Sequence, residues 1–233
     1  MIHPFLILEW LVEKSGVASP EQLAEYGHFN HVTHAWLVMA ILILSGFFAS
    51  RRLRRDPQGL QNFMELVLEQ FERLVGGTLG SKGRAYFPVI ATLGLFILVS
   101  NLVGLIPGFQ PPTANINTTA GLALSVFLLT HAIGFREHGL VYLKQFTGPV
   151  WWMIPLMLPI EIIGHLARPI SLSLRLFGNM YGHEVVLLIF FFLAPLLAPL
   201  PMMFMGVLVA IIQAYVFTLL SMIYFASALE EAH

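Results

Sequence analysis

Long apolar runs, separated by short polar segments, dominate the hydrophobic pattern of this chain from residue 35 onwards. Uninterrupted apolar runs of this length are typical of helices that cross a lipid bilayer. The pattern therefore predicts an all-α polytopic membrane protein, folded as a single membrane domain over residues 1–233. About five membrane-spanning helices are expected: a first span over residues 35–50, a helical pair over 86–107 and 119–135, and a long hairpin over 150–194 and 202–228.

Two segments outside these runs have a different character. Residues 59–80 place Phe63, Leu66 and Phe71 at helical spacing, with glutamates and an arginine on the other side. This pattern is typical of an amphipathic helix that lies in the cytoplasmic interface or against a partner helix. Residues 1–34 are mixed in composition and are predicted to form an external N-terminal segment.

The apolar run over 150–194 is too long for one helix perpendicular to the membrane. Its roughly 44 residues would extend about 66 Å as a single helix, which is about twice the hydrocarbon thickness. The segment must either break, with Pro155, Pro159 and Pro169 as candidate break points, or cross the membrane strongly tilted. A proline-rich turn separates it from the last run, so we expect the two to form a tilted hairpin.

An arginine, Arg175, lies within this long run. Placing a guanidinium in hydrocarbon costs from about 2.5 to over 10 kcal/mol, so such a residue is rarely kept without a partner or a task. Further polar residues recur on the same helical face at steps of three and four. An apolar helix with one polar stripe lines water or a protein interface. The stripe consists of Glu161, His165, Arg168, Ser171, Arg175, Asn179, His183 and Glu184.

The stripe has a protonatable group on each side of its central cation. Glu161 precedes Arg175 by about 21 Å of helix, and Glu184 follows it by about 13 Å. This arrangement indicates two proton half-paths that do not meet, because a permanent positive charge between them blocks a direct leak. His183 adds an imidazole suited to relaying protons. Gln213, in the last apolar run, is a candidate hydrogen-bond partner of Arg175 across the hairpin.

Composition and charge agree with a membrane protein and predict its orientation. Hydrophobic residues make up 57% of the chain and charged residues 11%, against about 25% charged in soluble domains. Four arginines at 51–55 follow the first span, which predicts a cytoplasmic position for this end, an external N-terminus and, after five spans, a cytoplasmic C-terminus. The net charge of -1 suggests no nucleic-acid partner, and the chain has no cysteine for a thiolate metal site.

Three histidines, His28, His31 and His34, share one helical face before the first span. They are compatible with a metal or proton-collecting site, or with an interfacial polar turn. The second interpretation is favoured because no carboxylate lies close by to complete a metal site.

The residues around Arg175 resemble those of a known family, subunit a of F-type ATP synthases. The similar segments are LRLFGNM at 174–180, GHE at 182–184 and QAYVF at 213–217, together with NLVGLIP at 101–107 and PPT at 111–113. The resemblance covers most of the chain, and the combination of R-L-F-G-N with a downstream Q-A-x-x-F is highly specific.

The resemblance implies a stator subunit in the membrane sector of a hetero-oligomeric complex, in the bacterial inner membrane. The implied partners are a rotating ring of c subunits, the peripheral-stalk b subunits and the lipid bilayer. Two offset half-channels would carry protons to and from the ring, coupling proton flow to rotation and ATP synthesis. The chain would be non-catalytic on its own and would need no cofactor.

The resemblance also implies roles for individual residues. Arg175 matches the essential arginine that faces the ring's proton-carrying carboxylate and makes that carboxylate release its proton. Polar inlet residues are matched by Asn179, Glu184 and Gln213, and Glu161 matches a carboxylate of the other half-channel.

One position departs from part of the family. Some members carry a histidine on the last helix, seven residues before the glutamine, whereas this chain has Gly206 there. His183 stands beside Glu184 instead, so the histidine's role is assigned to His183. The remaining stripe residues, Ser171, Arg168 and His165, are secondary candidates.

Three other classes of protein fit the sequence less well. A secondary transporter with an intramembrane arginine binding site would predict an inverted repeat, and the Arg175 stripe has no counterpart in residues 1–116. An intramembrane metalloprotease would need H-E-x-x-H, but the fifth position of the pattern that begins at His183 is Leu187. A purely structural scaffold leaves the charged stripe unexplained.

Overall fold

The structure, a computed structural model, describes residues 30–51, 57–106, 108–143, 154–194, 197 and 199–229. Within these ranges the chain forms α-helices joined by short 3-10 turns, and no strand. The predicted fold class, an all-α polytopic membrane protein, is confirmed. The helices are α1 (Asn30–Ser50), α2 (Leu60–Leu79), α3 (Phe87–Val103), α4 (Ile116–His138), α5 (Ile154–Leu193) and α6 (Pro199–Leu229).

Four of these helices, α1, α4, α5 and α6, are long and apolar enough to cross a membrane. The fifth expected span corresponds to α3, which is apolar but has only 17 residues, or about 26 Å of helix. It ends at Val103, before the predicted limit of 107. The reason lies at Gly104, where a side chain would overlap the Pro111 ring, so the chain folds back closely at this point.

Two other helices are longer than predicted. α1 begins at Asn30 instead of residue 35, so His31 and His34 lie in the helix and not in a turn before it. α4 begins at Ile116 instead of residue 119 because Asn115 caps it: its side-chain oxygen accepts a 2.9 Å hydrogen bond from the backbone N–H of Asn117. His28 lies outside the described residues.

α5 is one continuous helix of 40 residues, with Pro159 and Pro169 inside it. The break considered at the prolines therefore does not occur in the described segment. Pro155 stands in the first turn, where its missing N–H has no helical partner to lose. At about 60 Å, α5 is about twice as long as the hydrocarbon layer is thick. It must therefore incline strongly or extend beyond that layer.

α6 runs antiparallel to both α5 and α3. Against α3, Phe225 near the end of α6 packs beside Tyr86, while Gly206 near its start lies against Leu105. Between these points a side chain at Gly94 would overlap Thr218 and the Phe71 ring of α2, so the backbones approach closely. The buried core around this contact includes Ile90, Ile97, Leu172, Leu176, Phe217, Met222 and Phe225.

The amphipathic segment forms α2 as predicted from its spacing. It buries Val75 and Leu79 in the core and leaves Phe63 and Leu66 exposed. Its contacts within the chain are to α1, α3 and α6.

Candidate functional site

The central cation of the stripe, Arg175, lies on the exposed side of α5. Its Nη2 donates to the Ser171 hydroxyl at 3.5 Å, the outer limit of a hydrogen bond, and Ser171 is exposed as well. No carboxylate of the described residues forms an ion pair with Arg175. A permanent cation on a mainly apolar helix is thus presented outward, available to a group from outside the chain.

Beyond Arg175, four predicted residues form what we call the C-terminal polar cluster: Asn179, His183, Glu184 and Gln213. Asn179 Nδ2 donates a 2.7 Å hydrogen bond to Gln213 Oε1, which joins α5 to α6. Gln213 is buried, at 4% exposure. The predicted hydrogen bond from Gln213 to Arg175 is wrong. The register of the hairpin sets Gln213 opposite Asn179, about one helical turn further along α5.

His183 joins the same two helices further along. Its Nε2 lies 3.0 Å from the carbonyl oxygen of Met202. Because a carbonyl can only accept, Nε2 carries a proton and donates it to this oxygen. A side chain at Gly206 would overlap this imidazole. The His183 ring therefore occupies space that is open because residue 206 is a glycine.

Glu184 is half-buried, and its carboxyl has the side chain of Gln110 as a hydrogen-bonding neighbour. Gln110 belongs to the connection between α3 and α4 and was not among the predicted residues. Its polarity, between Phe109 and Pro111, was the only signal, and spacing along α5 could not show it.

Before Arg175, three predicted residues form the N-terminal polar cluster: Glu161, His165 and Arg168. Glu161 Oε1 lies 3.2 Å from Nε2 of His165, which is buried. The Arg168 guanidinium lies over the Tyr224 ring of α6, 5.4 Å from its centroid, as in a cation–π contact. The structure therefore separates the stripe into two polar clusters on either side of an exposed cation.

Two residues from outside α5 also lie at the N-terminal polar cluster. The spacing of residues along α5 could not indicate them. The His131 ring of α4 lies 5.3 Å from the His165 ring, centroid to centroid. His131 Nδ1 is 2.9 Å from the Tyr142 hydroxyl, in the 3-10 turn Gly139–Leu143. Burial raises the pKa of Tyr142 above its usual value, and the Glu161 carboxylate contributes in the same direction while the Arg168 cation opposes it.

His31 and His34 lie in α1, and His28 lies outside the described residues. His34 is buried, and its ring packs edge-on against Phe109 at a centroid distance of 5.9 Å. Across the part of the chain that the structure describes, no three His, Asp or Glu side chains come together as metal ligands would.

These features define the class of protein: a polytopic helical membrane protein whose longest helix carries an exposed arginine between two polar clusters. A family model described as "ATP synthase A chain" matches residues 32–226. The chain is 65% identical to "ATP synthase subunit a 2" of Syntrophotalea carbinolica and 58% identical to "ATP synthase subunit a 3" of Pelobacter propionicus. It is 56% identical to "ATP synthase subunit a" of Geobacter sulfurreducens, and each match covers all of both chains.

The chain belongs to the ATP synthase subunit a family. It is accordingly an integral membrane subunit of a hetero-oligomeric ATP synthase, with a part in ATP synthesis and proton transport.

Proposed function

We propose that this chain is the stator subunit that carries protons to and from a rotating ring of c subunits through two offset half-channels. Flow through the half-channels drives rotation of the ring, and rotation drives ATP synthesis elsewhere in the complex. The observation that carries this proposal is the exposed Arg175 between two separate polar clusters. The chain itself supplies no catalytic group to ATP formation.

The exposed face of α5 supports the ring as the partner. A side chain added at Gly164, Gly178 or Gly182 would meet no other atom of the chain within 4 Å, so the surface around Arg175 is open. Small residues let another helix approach closely in a membrane. A carboxylate on such a helix would reach the guanidinium, and Arg175 would favour its ionised form, so that it releases its proton in passing.

We assign one half-channel to each of the two polar clusters. Glu184, His183, Asn179 and Gln213 form the outer half-channel, and Glu161 with His165 forms the inner one. Arg168 and Ser171 hold positions between Glu161 and Arg175 along the same helix. Because a guanidinium is a permanent cation, a proton cannot pass directly from one cluster to the other and must travel on the ring.

The orientation follows from the arginines at 51–55, by the positive-inside rule. We place the N-terminus outside, the C-terminus in the cytoplasm and the whole chain in the bacterial inner membrane. The peripheral-stalk b subunits are the remaining partners, and they hold this chain against the torque of the ring.

Replacing Arg175 tests the proposal. In vesicles containing the complete complex, Arg175→Ala should abolish ATP synthesis driven by a proton gradient while the complex still assembles, because Arg175 is exposed and its removal opens no cavity in the core. The matched control is Arg73→Ala, which removes an exposed arginine paired at 2.7 Å with Glu69 on α2. Normal synthesis in the Arg175 variant would contradict the proposal.

A further inference from the structure

The N-terminal polar cluster continues beyond α5 onto two other elements. Glu161 and His165 belong to α5, His131 to α4 and Tyr142 to the turn after α4. The contacts run in sequence: Glu161 Oε1 to His165 Nε2 at 3.2 Å, the two imidazole rings at 5.3 Å between centroids, and His131 Nδ1 to Tyr142 Oη at 2.9 Å. Four side chains able to exchange protons therefore form one chain of contacts.

Packing holds this chain of contacts in place. A side chain at Gly134 would overlap the Tyr142 ring, so the ring rests directly on the α4 backbone with its hydroxyl at His131. The His131 ring stands edge-on to Phe127, at a centroid distance of 4.3 Å. Packing against α4 therefore fixes the positions of both rings.

The charged and titratable groups facing the two histidines limit how many protons they hold. Arg168 of α5 faces both imidazoles and is itself held over Tyr224 of α6. A fixed cation beside two imidazoles disfavours protonation of both rings at once. Glu161 faces His165 and Tyr142 faces His131, which leaves each histidine with a donor or acceptor on its far side.

We propose that His131 and Tyr142 are proton-relay residues, which extend the inner half-channel from Glu161 and His165 to the end of α4. A proton leaves the Glu161 carboxyl and binds His165 Nε2, and His165 releases its other ring proton toward His131, directly or through one water. His131 then gives its Nδ1 proton to the Tyr142 oxygen as the Tyr142 hydroxyl releases its own proton, which reaches solvent through a water because Tyr142 is itself only 2% exposed. The number of protons is conserved at each step, and the path can run in either direction.

This inference rests on the proposed function, because a relay has a use only if protons leave the ring on this side. It goes further in assigning the path to particular atoms of α4 and of the following turn. A solvent-filled cleft ending at Glu161 would need neither His131 nor Tyr142.

The decisive variant is Tyr142→Phe, which removes one oxygen and keeps the ring on Gly134. In vesicles of the complete complex, with the inner face toward the bath, ATP synthesis should fall about threefold to tenfold. The loss is smaller than the about 10²–10⁴-fold effect of a positioned acid or base, because water replaces part of a relay. A small imidazole buffer added to the bath should restore much of the rate, and the same buffer trapped in the lumen should not.

Three further variants complete the test. His131→Gln should show the same loss and the same one-sided rescue. Gly134→Ala should do so as well, because it displaces the Tyr142 ring without removing a titratable group, whereas Gly121→Ala on the same helix meets no atom within 4 Å and should be silent. Tyr86→Phe controls for loss of a tyrosine hydroxyl elsewhere.

The outcomes separate the two proposals. Wild-type rates for Tyr142→Phe, or a loss that bath buffer does not relieve, would overturn the relay even if Arg175→Ala abolishes synthesis. Normal synthesis by Arg175→Ala would instead overturn the proposed function. If His131→Gln fails to assemble, Tyr142→Phe decides alone, because the buried packing of its ring is unchanged.

Discussion

His183 and Gly206 form a pair in which one residue supplies the side chain and the other supplies the space. The imidazole of α5 crosses to the backbone of α6, where Nε2 lies 3.0 Å from the Met202 carbonyl oxygen. A side chain at Gly206 would overlap it. A histidine at 206 would therefore bring its own imidazole into about the same volume from the opposite helix.

Exchanging the two residues tests what the outer half-channel requires. The expected requirement is an imidazole at this point in space, whichever of the two helices supplies it. His183→Gly should reduce gradient-driven ATP synthesis by about tenfold or more, since a positioned proton-transfer group contributes about 10²–10⁴-fold. Gly206→His alone should also be impaired, because two imidazoles compete for one space. The double exchange should recover most of the wild-type rate.

Measurement of synthesis rates in vesicles of equal complex content checks this prediction. A double variant no more active than His183→Gly would contradict it. Gly121→Ala on α4 is a suitable control, since a side chain there meets no atom of the chain within 4 Å.

The residues of the stripe were predictable because they all lie on one helix, where spacing of three and four residues determines which side chains share a face. Contacts between helices were not. Gln213 bonds Asn179 and not Arg175, since the register of the hairpin depends on the length and shape of its turn. Gln110 and Tyr142 lie in connections without a repeating period, so no pattern indicated their positions.

At the level of elements, α5 has one side packed against the bundle and one side open. Leu172, Leu176 and Met180 are buried in the core, while Arg175 and Gly178 on the other side are exposed. The packed side fixes the helix and the open side presents the cation. Changes on the open side should therefore affect a partner and spare the fold of the chain itself.

Gly178→Leu tests this division. The new side chain has open space around it, so the variant should insert and assemble at wild-type levels. It should nevertheless lose most gradient-driven ATP synthesis, because a leucine one turn from Arg175 would keep a second helix from close approach. Gly46→Leu on α1, where a side chain also meets no atom within 4 Å, should retain activity. Comparable rates in the two variants would argue against a partner on this face.

The number and order of the helices were predictable because long apolar runs have few structural alternatives in a membrane. Their ends were less so. α4 gains its first turn from the Asn115 cap, and α3 ends early where Gly104 meets Pro111. Both depend on contacts within a single loop. From its length alone, the 150–194 run could form either a broken or a continuous helix. The structure has the continuous helix, which packs against α4 and α6.

At the level of the whole molecule, the orientation assigns a side of the membrane to each polar cluster. The contacts make α4 antiparallel to α5: Thr119 pairs with Ser173 at 3.1 Å, and His131 lies beside His165. The end of α4 and the start of α5 are therefore on one side, with the arginines at 51–55 by the proposed topology. The α3–α4 connection, with Gln110 and Glu184, is on the other.

The chain has no cysteine, so single cysteines can report this orientation without a background reaction. Lys82→Cys, on the exposed turn between α2 and α3, should react with a membrane-impermeant maleimide only in inverted vesicles. Asn117→Cys, exposed at the start of α4, should react only in intact cells whose outer membrane is permeabilised. The unsubstituted chain is the control. If the two sites react from the opposite sides, the assignment of both half-channels is reversed, since Glu184 would then face the cytoplasm and Glu161 the exterior. If both sites react from the same side, α3 does not cross the membrane between them.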